Sequence, residues 1–363
     1  MSRIVLDARE LRTSSGRYVE RLLNYLQEID TENSYKLLMQ PKDIAGWKSV
    51  NPNFEAVACP HKEFSFAEQL ALNRQVNSLK ADLVHFTFPQ QPVRYRGRTL
   101  TTIHDLTTLR FDNPDKNPLI FKIKRLVFKY VIKKSVRKSE RVIVPTEFVK
   151  DDIAQFAGIS KDKITVTYEA ADPITEPADS LRALEGKQFI MYVGRPTPHK
   201  NLERLIDAYS KLRAQHPELL LVLAGKKDAN YSRIESDVLS RTIKGVIFTD
   251  FVSEGRLRWL YEHCSAYVFP SLSEGFGLPG LEAMLHGAPV VSSNATCLPE
   301  IYGEAAHYFD PRDTQAMSDA INEVLTDTNL RQSLVEKGRV QASQYSWKRM
   351  AEQTLEIYKS ALG

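Results

Sequence analysis

The chain has 363 residues, which is more than one ordinary hydrophobic core accommodates and predicts two domains. Its 42% hydrophobic and 26% charged residues are typical of a globular protein and exclude the disordered and fibrous classes. The net charge of +4 is uneven, because residues 1–172 contain 28 basic and 21 acidic side chains whereas the remainder contains 21 and 24. We therefore expect the first half to be the part that meets an anionic surface.

The sequence contains no run approaching the roughly 20 apolar residues of a membrane helix. Its first residues, Met-Ser-Arg-Ile-Val-Leu-Asp, predict a strand rather than a signal peptide, because an acid follows a very short apolar part. The three cysteines, Cys59, Cys264 and Cys297, have no paired spacing and are expected to be reduced thiols. These features favour a cytoplasmic protein.

In the first half, short β-rich runs alternate with helical periodicity. Helices are expected at residues 17–29 and 67–79, and strands at 4–6, 35–39, 83–86, 99–103, 142–144 and 164–166. Strands separated by helices predict a parallel sheet with helices on both faces, the doubly wound α/β class. Its first strand-to-helix loop is a common place for phosphate contact, and Gly16 ends that loop. The chain has no Gly-x-Gly-x-x-Gly motif, which argues against a dehydrogenase.

A predicted strand ends at His104 and Asp105, on the edge of the sheet where ligands bind. Two interpretations stay open at this point. In the first, Asp105 caps the following turn and His104 is solvated. In the second, His104 belongs to an active site and Asp105 orients it.

Residues 116–141 are predicted to be helical and contain ten Lys and Arg against one acid, Glu140. An apolar face is expected from Ile120, Ile123, Val127, Val131 and Ile132, flanked by Phe121 and Phe128. Either the helix packs on the core with a basic solvent face, or it rests on an anionic membrane surface. Nucleic acid is not an expected partner, since basic and aromatic residues are not interleaved on a sheet.

After a predicted linker at residues 173–187, the alternation of strand and helix starts again. A strand at 189–193 is followed by a loop with Arg195 and Lys200 and then by a helix. An Arg offers a planar fork to two phosphate oxygens and a Lys a compact charge. Without further context both would be solvated loop cations.

More strands are expected at 219–224, 246–251, 266–269 and 288–291, and a last helix at 347–362. Between them, residues 269–287 predict a strand, a turn with Gly275 and Gly277, and a helix with Pro279 in its first turn. Such a turn presents unpaired amides and the positive end of a helix dipole to an anion, although a glycine pair is more often plain turn chemistry. Glu274 and Glu282 bracket it, so a diphosphate between two polyhydroxy rings would fit. This pattern indicates a nucleotide sugar.

The same segment resembles the retaining glycosyltransferases of family 4, whose signature is a Glu, seven residues and a second Glu, as at Glu274 and Glu282. Gly-Phe-Gly-Leu-Pro lies between the two acids. The resemblance extends over essentially the whole chain through three further motifs: Gly-Arg-Tyr at 16–18, His-Asp at 104–105, and Gly-Arg with Lys-Asn at 194–201. It implies a GT-B fold of two Rossmann-like domains facing a central cleft. Residues 1–172 would form the acceptor-side domain, 173–187 the linker, 188–345 the domain that binds the nucleotide sugar, and 346–363 a helix that crosses back to the N-terminal domain.

The resemblance also implies roles for individual residues. The implied catalytic residues are His104, Arg195, Lys200 and Glu274. The implied donor contacts are Gly16, Phe251, Gly275, Phe276, Gly277, Leu278 and Glu282. The family works without a metal, and the chain has no Asp-x-Asp motif, so we expect neither metal nor cofactor besides the donor. Ser14 stands where the family commonly has a second glycine, which weakens the case for Gly16.

The function implied is transfer of a hexose, with mannose from GDP-mannose favoured, to a hydroxyl of a glycan or lipid-linked acceptor in cell-surface polysaccharide synthesis. The expected location is the cytoplasm, peripheral at the inner face of the plasma membrane. Two alternatives remain. One is a different GT-B enzyme, such as a sugar-nucleotide epimerase or a phosphorylase, and the other is a non-catalytic, membrane-associated binding module.

Overall fold

A computed structural model describes residues 1–11, 16–61, 65, 68–112 and 118–363. The chain packs into two compact units. The N-terminal unit comprises Met1–Leu109, Pro118–Glu169 and Ser346–Gly363, and the C-terminal unit comprises Arg110–Asn117 and Ala170–Tyr345. Each unit contains one parallel sheet, which confirms the predicted α/β class. The domain boundaries given above stay predictions, and Ser14 and Lys116 lie outside the described residues.

The N-terminal sheet has the strand order β3-β2-β1-β4-β5-β6-β7. Its strands are β1 (Arg3–Asp7), β2 (Ser34–Met39), β3 (Phe54–Ala58), β4 (Leu83–Phe86), β5 (Thr99–Thr102), β6 (Arg141–Val144) and β7 (Ile164–Val166). Six of the seven follow the sequence pattern. The edge strand β3 was not predicted, because it is short and partly exposed, and its sequence Phe-Glu-Ala-Val-Ala lacks a buried apolar run.

Between β1 and β7 the described part of the chain forms six α-helices. They are α1 (Gly16–Ile29), α2 (Pro41–Ile44), α3 (Asn73–Ser78), α4 (Thr107–Arg110), α5 (Pro118–Lys138) and α6 (Glu147–Ala157). A π-helical turn, Glu68–Leu72, precedes α3, so the single helix expected at 67–79 is divided in two where it is described.

Helix α5 buries only part of the apolar face expected from the sequence, since Ile132 is buried as expected whereas two other members of that face are exposed. Phe128, Ile132 and Val136, spaced by four residues, lie in the core. Ile123 and Val127 were expected on that face but are 63% and 57% exposed. Since the helix is apolar on two opposite sides, periodicity alone does not choose the buried one. The side chain of Ile120, also assigned to that face, lies outside the described part.

The C-terminal sheet has the order β10-β9-β8-β11-β12-β13. Its strands are β8 (Phe189–Val193), β9 (Leu220–Ala224), β10 (Val246–Phe248), β11 (Ala266–Phe269), β12 (Val290–Ser293) and β13 (Ala306–Phe309). Its helices are α7 (Leu202–Leu212), α8 (Ala229–Ser240), α9 (Glu254–His263), α10 (Leu278–Leu285), α11 (Leu298–Tyr302), α12 (Thr314–Thr326) and α13 (Thr328–Ser343).

Strand β10 ends three residues earlier than predicted. Asp250 adopts a left-handed conformation with φ of 60°, and its Oδ1 accepts the amide hydrogen of Phe251 at 2.8 Å. This local turn diverts the backbone from the sheet, because Asp side chains readily compete for neighbouring amides.

The last helix, α14 (Trp347–Leu362), belongs to the N-terminal unit and packs along α1. Tyr358 is fully buried there, and its hydroxyl lies 2.6 Å from Nδ1 of His85 on β4. No helix within the described ranges is both long and apolar enough to cross a membrane.

Candidate active site

The central feature of the C-terminal unit is the point where its strand order reverses. Strands β8 and β11 are neighbours in the sheet although they are far apart in the chain, and ligands of doubly wound sheets bind beyond the carboxyl ends of such a pair. Lys200 follows β8 and Glu274 follows β11. Their Nζ and Oε1 atoms are 2.6 Å apart, with the side chains 19% and 12% exposed. Two residues separated by 74 positions thus meet at the sheet edge.

Asn201 fixes the turn that carries Lys200. Its backbone is left-handed, with φ of 60°, and its buried side-chain amide donates to the carbonyl oxygens of Pro270 at 3.0 Å and Pro311 at 2.8 Å. These bonds tie the turn to the segments that leave β11 and β13. Asn201 was not predicted as a site residue, and only its position immediately after Lys200 pointed to it.

The other cation on this connection, Arg195, is exposed, and its guanidinium makes no hydrogen bond to any described residue. His199 lies between the two cations in sequence. Burial, followed by the charge of Lys200, lowers the pKa of His199 to about 4. At neutral pH the loop therefore carries two positive charges, those of Arg195 and Lys200, and a neutral imidazole.

The turn before α10 presents backbone donors. The amides of Phe276, Gly277 and Leu278 have no hydrogen-bond partner in the described part of the chain, and Pro279 is in the first turn of the helix. Gly277 has φ of 100°, which favours glycine. Free amides at a helix N-terminus attract anions.

Packing also requires a glycine at position 277. A Cβ atom there would lie 2.6 Å from the hydroxyl of Tyr302, which donates to the carbonyl oxygen of Gly277 at 2.6 Å. The ring of Phe276 is buried against Tyr345, edge-on at 5.6 Å. Only the backbone of Phe276 is therefore available to a ligand.

The two glutamates of the signature have different surroundings. The amide of Glu274 donates to Thr296 Oγ1 at 3.1 Å, and its carbonyl oxygen accepts from Cys297 Sγ at 3.3 Å. Glu282 is buried on α10, and its Oε2 accepts from the Tyr261 hydroxyl at 3.3 Å. The structure thus joins Glu274 to Lys200, and Glu282 to α9.

Backbone strain is concentrated around this edge. Of the five described non-glycine residues with positive φ, three follow strands of the C-terminal sheet: Asn201 after β8, Asp250 after β10 and Thr296 after β12. Thr296, with φ of 54°, is β-branched, and residues of that type rarely adopt this conformation. Such outliers are typical of functional sites.

Phe251, a predicted donor contact, follows β10. Its ring is 75% exposed, and its amide already donates to Asp250. A contact to a ligand through that amide would require the turn to open, whereas the ring is accessible as it stands.

The N-terminal unit contains two of the predicted site residues, Gly16 and His104. A Cβ atom on Gly16 would lie 2.2 Å from the carbonyl oxygen of Leu11, so a close backbone approach alone requires glycine there. His104 Nδ1 lies 3.0 Å from Oε1 of Glu169, which follows β7. Asp105 Oδ1 accepts the amide hydrogen of Thr107 at 2.8 Å and so caps α4. Glu169 was not predicted, because no motif links it to His104, 65 residues away.

The three cysteines are buried and form no disulfide with one another, and burial raises the pKa of Cys59 to about 11. Among the residues that the structure describes, no three His, Cys, Asp or Glu side chains are grouped closely enough to hold a metal ion.

The sequence matches two protein families in succession. Residues 41–173 match Glycosyltransferase Family 4, and residues 174–341 match Glycosyl transferases group 1. The O-antigen chain mannosyltransferase B of Escherichia coli is 32% identical over 280 residues, which cover 72% of this chain and 70% of that protein. The chain belongs to the group 1 glycosyltransferases of family 4. The predicted family is thereby confirmed.

Three further relatives of this glycosyltransferase show its range: one is a larger protein, and two resemble it in fold. Serotype-specific mannosyltransferase WbdA of E. coli is 28% identical over the full chain, which spans about half (47%) of that protein. Sucrose-phosphate synthase from Thermosynechococcus elongatus superposes with a TM-score of 0.78 at 19% identity, over 99% of both chains. Anabaena HepE in complex with UDP-glucose superposes with a TM-score of 0.74 at 18% identity, over 99% of this chain and 100% of that one. These structures confirm the GT-B fold.

Proposed function

We propose that this glycosyltransferase moves a hexose from a nucleotide-diphosphate sugar to a hydroxyl of a glycan or lipid-linked acceptor, with retention of the anomeric configuration. One observation supports the proposal most directly. A cation, a carboxylate and three unbonded amides converge where the strand order of the C-terminal sheet reverses. A diphosphate needs the cation and the amides, and the sugar beside it needs the carboxylate.

The Lys200–Glu274 pair suggests how the donor binds. The ammonium lies against the carboxylate and neutralises it. A diphosphate arriving at the α10 turn would take over the ammonium, and Glu274 would then accept hydrogen bonds from sugar hydroxyls. Glu282 is proposed to bind the ribose.

The chemical step builds negative charge on the leaving diphosphate. Lys200, Arg195 and the amides of residues 275–278 would stabilise that charge more strongly in the transition state than in the bound donor, which is what raises the rate. In a retaining reaction the donor phosphate oxygen takes the acceptor proton on the face that the diphosphate leaves. The proposed step needs no metal ion. Activity that survives EDTA would support a metal-independent step. Activity that EDTA abolishes and that only Mg²⁺ or Mn²⁺ restores would contradict it.

Mannose is the proposed sugar and GDP-mannose the proposed donor. The names of relatives support mannose: O-antigen chain mannosyltransferase B and WbdA of E. coli, and O-antigen chain mannosyltransferase RfbU of Salmonella typhimurium, which is 29% identical over 66% of this chain and 63% of that protein. They also support a role in cell-surface polysaccharide synthesis. Family membership favours a transferase over an epimerase, a phosphorylase or a binding module.

A thermal-shift screen with GDP-mannose, UDP-glucose and dTDP-glucose tests the donor. A ligand present at about 100 times its Kd should stabilise the fold by about 2.7 kcal/mol. The anomeric configuration of the product, read by NMR, then tests retention. The proposal is wrong if no nucleotide sugar stabilises the protein and the protein releases the sugar from none of them.

We also propose that α5 rests on an anionic membrane surface at the inner face of the plasma membrane. Ile123, Leu126, Val127 and Tyr130 share one face of the helix and are 57–69% exposed. Exposed lysines border this face, at positions 122, 124, 129 and 134. Residues 118–138 contain no acid. An apolar stripe bordered by lysines matches the interface of an anionic bilayer.

A further inference from the structure

A buried carboxylate and a partly buried imidazole form a pair at the carboxyl edge of the N-terminal sheet. Glu169 Oε1 lies 3.0 Å from Nδ1 of His104, and the two side chains are 8% and 19% exposed. The other ring nitrogen, Nε2, is buried and has no hydrogen-bond partner in the described chain. Buried polar atoms in native proteins are nearly always bonded, so an orphaned atom at a sheet edge requires an explanation.

The chemistry of the pair fixes the position of the ring proton. An ionised carboxylate only accepts hydrogen bonds, so Nδ1 must carry the hydrogen that Glu169 accepts. In the neutral imidazole Nε2 is then a bare acceptor. A hydroxyl or amine donor from outside the described chain would satisfy it.

Aromatic neighbours hold the ring in this orientation. Tyr18 lies edge-on to it, at a centroid distance of 4.9 Å and 78°, and Phe88 lies at 5.2 Å. The hydroxyl of Tyr18 is itself held at 3.1 Å from Thr102 Oγ1 on β5. The imidazole is therefore fixed by packing on its sides and by Glu169 at Nδ1, so that Nε2 has a defined direction.

We propose that Glu169 is a positioning residue, which holds His104 in the Nδ1–H tautomer so that Nε2 accepts a hydrogen bond from a hydroxyl of a bound sugar. This inference rests on the proposed function for the identity of the ligand. Glu169 acts through His104 and does not touch the sugar. Carboxylates that orient a histidine in this way typically contribute about 10- to 100-fold where they have been removed from metal ligands.

The tautomer is measured first, on protein labelled with ¹⁵N-histidine, with the His104 signals assigned by their loss in His104→Gln. Wild type should show a protonated Nδ1 and a bare Nε2 in the neutral ring, and Glu169→Ala should lose this preference. A wild-type ring protonated at Nε2, or a tautomer unchanged in Glu169→Ala, overturns the proposal. This measurement needs no turnover, so it decides the inference even if the proposed function fails.

A kinetic cycle then tests the role, with rates normalised to folded protein. Glu169→Gln should lower kcat/KM by about 10- to 100-fold. His104→Ala should lower it at least as much, and the double variant should be no worse than His104→Ala alone. Glu169→Asp, which keeps the carboxylate, should recover part of the rate. The matched control is Glu55→Gln, which changes an exposed acid of the same unit. Effects that multiply in the double variant would show that Glu169 acts elsewhere and would overturn the proposal.

Discussion

Removal of the Lys200 ammonium is the sharpest test of the donor site. Lys200→Met keeps most of the apolar stem and deletes the charge that lies 2.6 Å from Glu274. If the ammonium stabilises the leaving diphosphate, its loss should cost about 3–4 kcal/mol in the transition state, or roughly 10²- to 10³-fold in kcat, as for one oxyanion-hole donor. The assay is release of the nucleoside diphosphate from the donor that the thermal-shift screen identifies.

The same substitution should also affect stability, for a separate reason. It leaves Glu274, 12% exposed, without its cation, which should cost about 1–3 kcal/mol of unfolding free energy. Adding Glu274→Gln should recover that stability without recovering the rate, because the phosphate still has no cation. The matched control is Lys187→Met, at an exposed lysine of the same unit. A Lys200→Met enzyme with near-normal kcat and donor affinity would refute the assignment.

Three further outcomes are expected. Gly277→Ala should destabilise the protein by about 1–3 kcal/mol and weaken donor binding, because φ of 100° strains an alanine and its Cβ meets the Tyr302 hydroxyl; an unchanged thermal midpoint would contradict this. Burial lowers the pKa of His85 to about 3. Below about pH 6.5 His85 is therefore protonated in the unfolded chain but not in the folded one. The free energy of unfolding should fall by about 2 kcal/mol between pH 7 and pH 5 for this reason. Urea unfolding should show a flatter pH dependence for His85→Gln than for wild type. Leu126→Asp and Val127→Asp should each reduce sedimentation with anionic vesicles but not change the weak background with neutral ones; equal binding by wild type and variants would exclude this face.

The fold was readable from the sequence where one physical requirement dominates. Buried parallel strands need continuous apolar runs, and β8 and β11 lie where those runs predict them. Edge strand β3 needs no such run and was missed. In α5 the burial of Phe128 rather than Ile123 is set by packing, because the helix offers two apolar sides.

The candidate site was readable only where short motifs carry it. Lys200 and Glu274 were named from local patterns, and the structure brings them together. Glu169 follows a different strand from His104, and no local pattern connects two residues that meet through the order of the sheet. Asn201 likewise acts through bonds to carbonyl oxygens up to 110 positions away. Contacts of this kind depend on tertiary structure.

The placement of α14 has a consequence for how the protein is made. The N-terminal unit is built from three separate stretches of chain, and the last of them, Ser346–Gly363, is synthesised after the entire C-terminal unit. During synthesis, one side of α1 therefore stays unpacked until α14 has been made and Tyr358 can contact His85. Such a long-range closure slows folding, since the entropy of closing the chain is lost before the contact forms. Apart from Arg110–Asn117, the C-terminal unit is one continuous stretch, Ala170–Tyr345, which is complete before α14 is synthesised and so can fold before the N-terminal unit is closed.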